Sequence, residues 1–201
     1  VTTDQTRPAG GLREQRKART RRAIQEHALR LFLTKGYDDT TVEEIAAAAG
    51  VSHMTFFRYF PTKEAVVEDD DYDPLIAELV RGRPAGEDPM TALHGALRAG
   101  LDAVLAADRD AVYTRTRLVV TTPALRARQW RNTDTTQSLL ARALADREDR
   151  PVDLRLRVIA AAATAALITA LTAWVDGDGV EDLRVLVDRA FAALAGGAPT
   201  R

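Results

Sequence analysis

Cysteine is absent from the 201 residues, and serine occurs only at Ser52 and Ser138. The first absence excludes a disulfide framework, a thiolate zinc site and cysteine nucleophily, and it fits a reducing compartment, so a cytoplasmic location is expected. The second leaves no material for a hydrolase triad. Histidine is nearly as scarce: His27, His53 and His94 form neither a His-x-x-x-His nor an HExxH motif, which removes the common zinc ligand sets. No catalytic residue, metal or cofactor is expected. No stretch alternates apolar and polar positions over β-branched residues, so strands are not expected either. With 46% apolar and 28% charged residues the chain belongs with soluble globular proteins.

Net charge is only -1, but its distribution is uneven. Residues 1 to 35 carry nine Lys or Arg against three acids, while the 138 residues after Lys63 carry seventeen against twenty-two. A basic head on an acidic body is the asymmetry of a chain that approaches a polyanion with one end. The leading VTTDQTRPAGG has no apolar core and reads as a flexible arm, not a signal peptide. Val158 to Val175 is uncharged, yet eight of its eighteen residues are Ala and three are Thr. It reads as a buried bundle helix and not a membrane span.

Apolar periodicity predicts a helix over 12–35, stopped by Gly36. Thr41 with Glu44 three residues on has capping-box spacing for a short helix carrying Val42, Ile45 and Ala49. Ser52 can cap the next, HMTFFRYF, which Pro61 stops. Thr62 can cap a fourth helix from Lys63, and Pro74 splits or kinks the segment 63–80. Further helices are expected over about 90–107, 112–120, 123–147 and 153–175, with a last amphipathic one carrying Leu183, Leu186, Val187, Ala190, Phe191 and Leu194. The fold class is all-α: a three-helix head over 12–62 with a helix-turn-helix, then a larger helical body over 63–201.

Two short helices joined through Ala-Gly-Val-Ser suit a recognition helix that lies in the major groove. Ser52, His53 and Thr55 are candidates for base or adjacent phosphate contacts. Arg58, Tyr59, Thr41 and Lys63 are candidates for backbone contacts, the last two because they begin helices whose free N–H groups favour phosphate. Arg19 belongs to the basic cluster at 16–22, which is placed to meet phosphate or enter the minor groove. The bland alternatives are a solvated basic face, plain helix caps and a surface histidine.

The stretch from Arg19 to Val67, above all TTVEEIAAAAGVSHMTFFRYFPTKEAVV, resembles the DNA-binding head of the TetR family of bacterial transcriptional regulators. The ordered pattern Phe32, Gly36, Thr40-Thr41, Ile45-Ala46, Gly50-Val51-Ser52, Thr55-Phe56-Phe57, Phe60 and Lys63-Glu64 carries the likeness. It implies a homodimeric regulator of double-stranded operator DNA, most simply a repressor released by a small-molecule effector and independent of membranes. By the same likeness Thr41 and Lys63 hold phosphates, Thr55 approaches the groove, and Phe57 offers apolar contact where members often have Tyr. His53 stands where Arg is common. FFRYFPTKEAVV also resembles TetR-type regulators associated with redox-cofactor or acyl-thioester metabolism.

The resemblance further implies an effector pocket among the middle helices. His94, Tyr113, Arg117 and Trp130 are its candidates, each joining an apolar wall to a polar contact, and a hydrophobic ligand with an anionic end is expected. The last two helices are the dimer candidates, with Leu167, Leu171, Trp174, Leu186 and Phe191 as packing residues. The same stripes would also serve inside one subunit. Movement of the helix beginning near Lys63 would pass ligand binding from body to head. An enzyme is disfavoured by the missing residue sets. The acidic group of Glu68, Asp69, Asp70, Asp71 and Asp73 reads as an exposed patch or, less simply, a divalent-ion site. A helical interaction module with an idle head is opposed by the basic run Arg13 to Arg22.

Overall fold

The computed structural model describes residues 9–68 and 72–196, the side chains at positions 9, 10, 12, 68, 130 and 131 excepted. Every regular element among the described residues is an α-helix. The chain divides into two compact units, Val1–Asp69 and Asp70–Arg201.

The head contains α1 (Ala9–Lys35), α2 (Val42–Ala48), α3 (His53–Tyr59) and the single turn α4 (Ala65–Glu68). Helix α1 begins at Ala9, so the end of the expected arm is already helical. Ile24, Ala28 and Phe32 of α1 meet Ile45, Phe56 and Phe60 in a core from which water is excluded. Gly36 ends α1 with φ of +96° and Gly50 turns the chain between α2 and α3 with φ of +67°, a conformation that penalises a Cβ. The buried Thr40 hydroxyl donates to the Gly36 carbonyl at 2.7 Å. The expected boundary after residue 62 differs from the observed one, because residues 63–68 fold with the head: Gln25 donates to the Val66 carbonyl, and Ala65 N–H to Thr62 Oγ1. The Lys63 segment is therefore part of the head and not of the body. Of the acidic group, Asp69, Asp70 and Asp71 lie outside the described residues; the Asp73 carboxylate accepts a hydrogen bond from Thr136.

The body holds α5 (Tyr72–Arg81), α6 (Pro89–Thr121), α7 (Pro123–Arg147), α8 (Leu154–Asp176) and α9 (Leu183–Leu194). The two helices expected over 90–120 are one element interrupted at Asp108, whose backbone leaves helical geometry and whose carboxylate caps Ala111 N–H at 2.9 Å. Gly100 lets α5 and α6 approach closely, since a Cβ there would stand 2.1 Å from Ile76 Cδ1. Helix α8 packs against α6, α7 and α9. Its apolar length would suffice to cross a membrane, but one side of it, including Leu156, Ala160, Ala163 and Trp174, fills the body's core.

Candidate nucleic-acid interface

The two short helices of the head are fixed by reciprocal capping. Thr41 Oγ1 accepts from Glu44 N–H at 3.2 Å while Glu44 Oε2 accepts from Thr41 N–H at 2.9 Å, the capping box expected from the sequence. Lys35 donates to the same carboxylate at 2.5 Å and, with the Thr41 amide, holds it below the ordinary range. At the start of α3, Ser52 Oγ accepts from Thr55 N–H at 3.1 Å and donates to Thr55 Oγ1 at 2.9 Å.

Phe56 and Phe60 set the rotation of α3, both being fully buried. A step of about 100° per residue then turns Met54 and Arg58 outward, while Phe57 lies on the flank with its ring 5.4 Å from that of Phe56 and His53 sits in the first turn; all four are exposed. Met54 is 83% exposed and Phe57 40%. Thr55 and Tyr59 lie toward the flank of the helix and are half-buried. Thr55, expected to face the groove, is half-buried, and its hydroxyl accepts a hydrogen bond from that of Ser52. Met54 was missing from the expected base-facing set. The signal for it was present in the phase that Phe56 and Phe60 impose.

His53 Nε2 stands 3.1 Å from Glu43 Oε1, and its ring meets the Phe57 ring edge-on at 4.7 Å. Arg58 lies over the Tyr59 ring at 5.4 Å. Lys63 is not a free phosphate ligand, because Nζ donates to the Tyr37 and Thr40 carbonyls at 2.8 and 3.0 Å. On α1 the guanidinium that meets the helix-turn-helix belongs to Arg21, 5.0 Å above the Phe60 ring. Arg19 is exposed, but two helical residues from Arg21 it points to the opposite side. Arg13 and Lys17, at four-residue steps before Arg21, continue the face that carries α3 and are exposed.

In the body, the expected effector residues do not converge. His94 stacks on the Phe191 ring at 4.6 Å, with Nε2 2.7 Å from Asp188 Oδ1. Tyr113, about five turns further along α6, meets Trp174 edge-on at 5.1 Å. Arg117 is exposed, and the Trp130 side chain lies outside the described residues. A groove of about 560 Å³ between α7 and the start of α8 is lined instead by Asp134, Gln137, Ser138, Ala141, Arg142, Val152 and Arg157.

The expected dimer residues also turn inward. Trp174, Leu186 and Phe191 are buried in the body's own core, and Leu167 and Leu171 pack against it. The outward stripe of α8 runs instead through Leu154, Val158, Ala161, Ala165, Ile168 and Thr172, at three- and four-residue steps. Leu154 is 76% and Val158 57% exposed, and Val185 on α9 is exposed as well.

A recognition helix held clear of a small core by a capped turn defines a helix-turn-helix DNA-binding protein. Residues 24–69 match the family model described as bacterial regulatory proteins, tetR family, and residues 87–199 match the one described as MftR C-terminal domain. The chain belongs to the TetR family of bacterial transcriptional regulators, and as such it is a DNA-binding regulator and not an enzyme. It is 39% identical over 169 residues to the HTH-type transcriptional regulator TcmR of Streptomyces glaucescens, spanning 80% of this chain and 75% of TcmR. Among solved structures it is similar to FadR of Thermus thermophilus, a TetR family transcriptional repressor in complex with lauroyl-CoA. That likeness has a TM-score of 0.58 at 27% identity and covers 90% of this chain and 96% of FadR. A regulator FadR from Bacillus subtilis, in complex with stearoyl-CoA, shares the fold at a TM-score of 0.61 and 20% identity, over 88% of this chain and 98% of that one.

Proposed function

We propose that the chain is a homodimeric, cytoplasmic repressor that leaves its operator when a small amphipathic effector binds the body. The observation that carries the DNA half of this reading is the exposed quartet of α3, His53, Met54, Phe57 and Arg58, on a helix whose buried side and N-cap are both committed. The dimer half rests on the outward apolar stripe of α8, in which Leu154, Val158 and Ala165 are exposed and Ala161, Ile168 and Thr172 half-buried. Two-fold pairing through that stripe and Val185 would present two α3 helices to a palindrome, with half-sites about 34–36 Å apart.

The effector half draws on the likeness to FadR of Thermus thermophilus, whose ligand joins an acyl chain to an anionic headgroup. In this chain the half-buried apolar residues Leu101, Val112, Leu139, Leu167 and Leu171 around the core would receive an apolar tail. Ligand binding would act as a population shift, favouring dimers whose α3 helices are spaced wrongly for the operator. Operator duplexes selected from a random pool, titrated with and without a panel of acyl thioesters beginning with lauroyl-CoA, test the reading. A ligand that lowers operator affinity is expected. Equal affinities across the panel would overturn release by this ligand class.

A further inference from the structure

We propose that the recognition helix selects operators by the 5-methyl groups of thymines, which it reads through Met54 and Phe57. The inference rests on the duplex-binding reading above and adds what that duplex must display. Large apolar side chains on a small head belong in its core, yet Met54 is 83% exposed and Phe57 40%. Met54 sits on the side of α3 opposite Phe56 and Phe60, and Phe57 beside it on the flank, its ring edge-on to that of Phe56 at 5.4 Å. The polar groups that would otherwise lead the reading are partly engaged. Ser52 and Thr55 hydroxyls hydrogen-bond each other, and His53 leans edge-on against Phe57 with Nε2 3.1 Å from Glu43.

The leading atoms of the helix are therefore a flexible thioether chain and the rim of a phenyl ring. In the major groove only thymine offers an apolar group, its 5-methyl, and cytosine at the same place has none. Covering a methyl with the Met54 chain removes apolar area from water on both partners. Methionine's unbranched chain lets it follow the groove floor. Arg58, exposed on the same face, and Arg13 and Lys17 on the α1 face that carries α3 supply the positive charge that commits this apolar pair to duplex DNA as its occupant.

The test replaces single thymidines by deoxyuridine in duplexes that the wild-type protein has selected, which deletes the methyl and leaves base pairing intact. At contacted positions wild-type binding is expected to weaken about fourfold per methyl, the value of one buried methylene-sized group. Met54→Ala should bind thymidine and deoxyuridine duplexes alike at the positions Met54 covers and keep the preference only where Phe57 reads, while Met54→Leu keeps it throughout. Helical circular dichroism of both variants should match the wild type, since Met54 supports no core contact. Wild-type binding that ignores the methyl at every thymine, or a Met54→Ala protein that keeps the full preference, would overturn the proposal while leaving duplex binding intact. A wild type that selects no duplex at all would overturn both.

Discussion

Lys63 Nζ lies 4.3 Å from the centre of the Tyr37 ring and donates to that residue's own carbonyl at 2.8 Å. One ammonium thereby closes the loop between α1 and α2, a loop that also sets where α2 begins, since Thr40, its other carbonyl partner, precedes the Thr41 cap. The Tyr37 hydroxyl completes the clamp by donating to Glu64 Oε1 at 2.8 Å.

Lys63→Ala should therefore lower the stability of the head as well as its affinity for DNA. Two partly buried carbonyls lose their donor, at a cost of about 1–2 kcal/mol, and affinity should fall for every duplex sequence alike. Thermal unfolding and binding to two unrelated duplexes check this. A variant as stable as the wild type would show that the clamp contributes nothing and that any lost affinity comes from a phosphate contact alone.

The face of α1 that carries α3 continues N-terminally as Arg21, Lys17 and Arg13. Those last two should add phosphate contacts that the opposite-facing Arg19 does not. Each lost contact reduces the slope of log affinity against log salt by about 0.9, so Arg13→Ala with Lys17→Ala should flatten the salt dependence measurably, and Arg19→Ala should not. Equal slopes for the two variants would remove the geometric distinction between these faces.

In the body, Glu148 lies between Arg147 Nη2 at 2.7 Å and Arg150 Nε at 2.6 Å. Burial opposes its charge, but the two guanidinium hydrogen bonds outweigh that and hold the carboxyl below its ordinary range. A folded-state value below the unfolded one means that the stabilisation is full above the unfolded value, about 4.3, and is lost as pH falls through the lower folded value. Glu148→Gln leaves the buried Arg147 side chain, 1% exposed, without its counter-charge, at a cost of about 3 kcal/mol. The gap in Tm between wild type and variant should be constant from about pH 7 down to about pH 5 and narrow below about pH 4. A gap unchanged down to about pH 2 would show that the charge of Glu148 is not what the cluster uses.

Sequence legibility followed the range of the interaction. Caps and stops are local, so the Thr41–Glu44 box, the Ser52 cap and α7 from Pro123 to Arg147 were all readable. The break in α6 was readable too, because 108–111 separates two apolar repeats. The carbonyl contacts of Lys63 were not legible, because its partners lie 26 and 23 residues away and no local pattern announces them. The effector set failed for a related reason: residue type marked His94 and Tyr113 as unusual, but His94 is absorbed by α9 and Tyr113 by Trp174. On α8 residue size does not tell the two faces apart. Size marks Leu167, Leu171 and Trp174, but both faces of α8 mix large and small residues: the core side carries Ala160, Ala163, Ala166 and Ala170 beside Leu156 and Trp174, and the outward side carries Leu154, Val158 and Ile168 beside Ala161 and Ala165.

That outward face makes the dimer testable without disturbing the fold. Val158→Asp and Ala165→Glu replace exposed residues, so each variant should keep its helical content and its melting cooperativity. In a two-fold interface a residue near the axis meets its own copy or its near neighbours, so one substitution places two like charges in the same contact. Such juxtaposition costs several kcal/mol, enough to turn a dimer into monomers at micromolar concentration. Sedimentation equilibrium should report monomers for both variants, and operator affinity should fall to that of an isolated half-site contact. Leu167→Asp should behave differently, unfolding the body, because that side chain packs on the core. Variants at Val158 and Ala165 that stay dimeric would move the interface off the α8 stripe, since no well-packed contact through that stripe accommodates paired carboxylates.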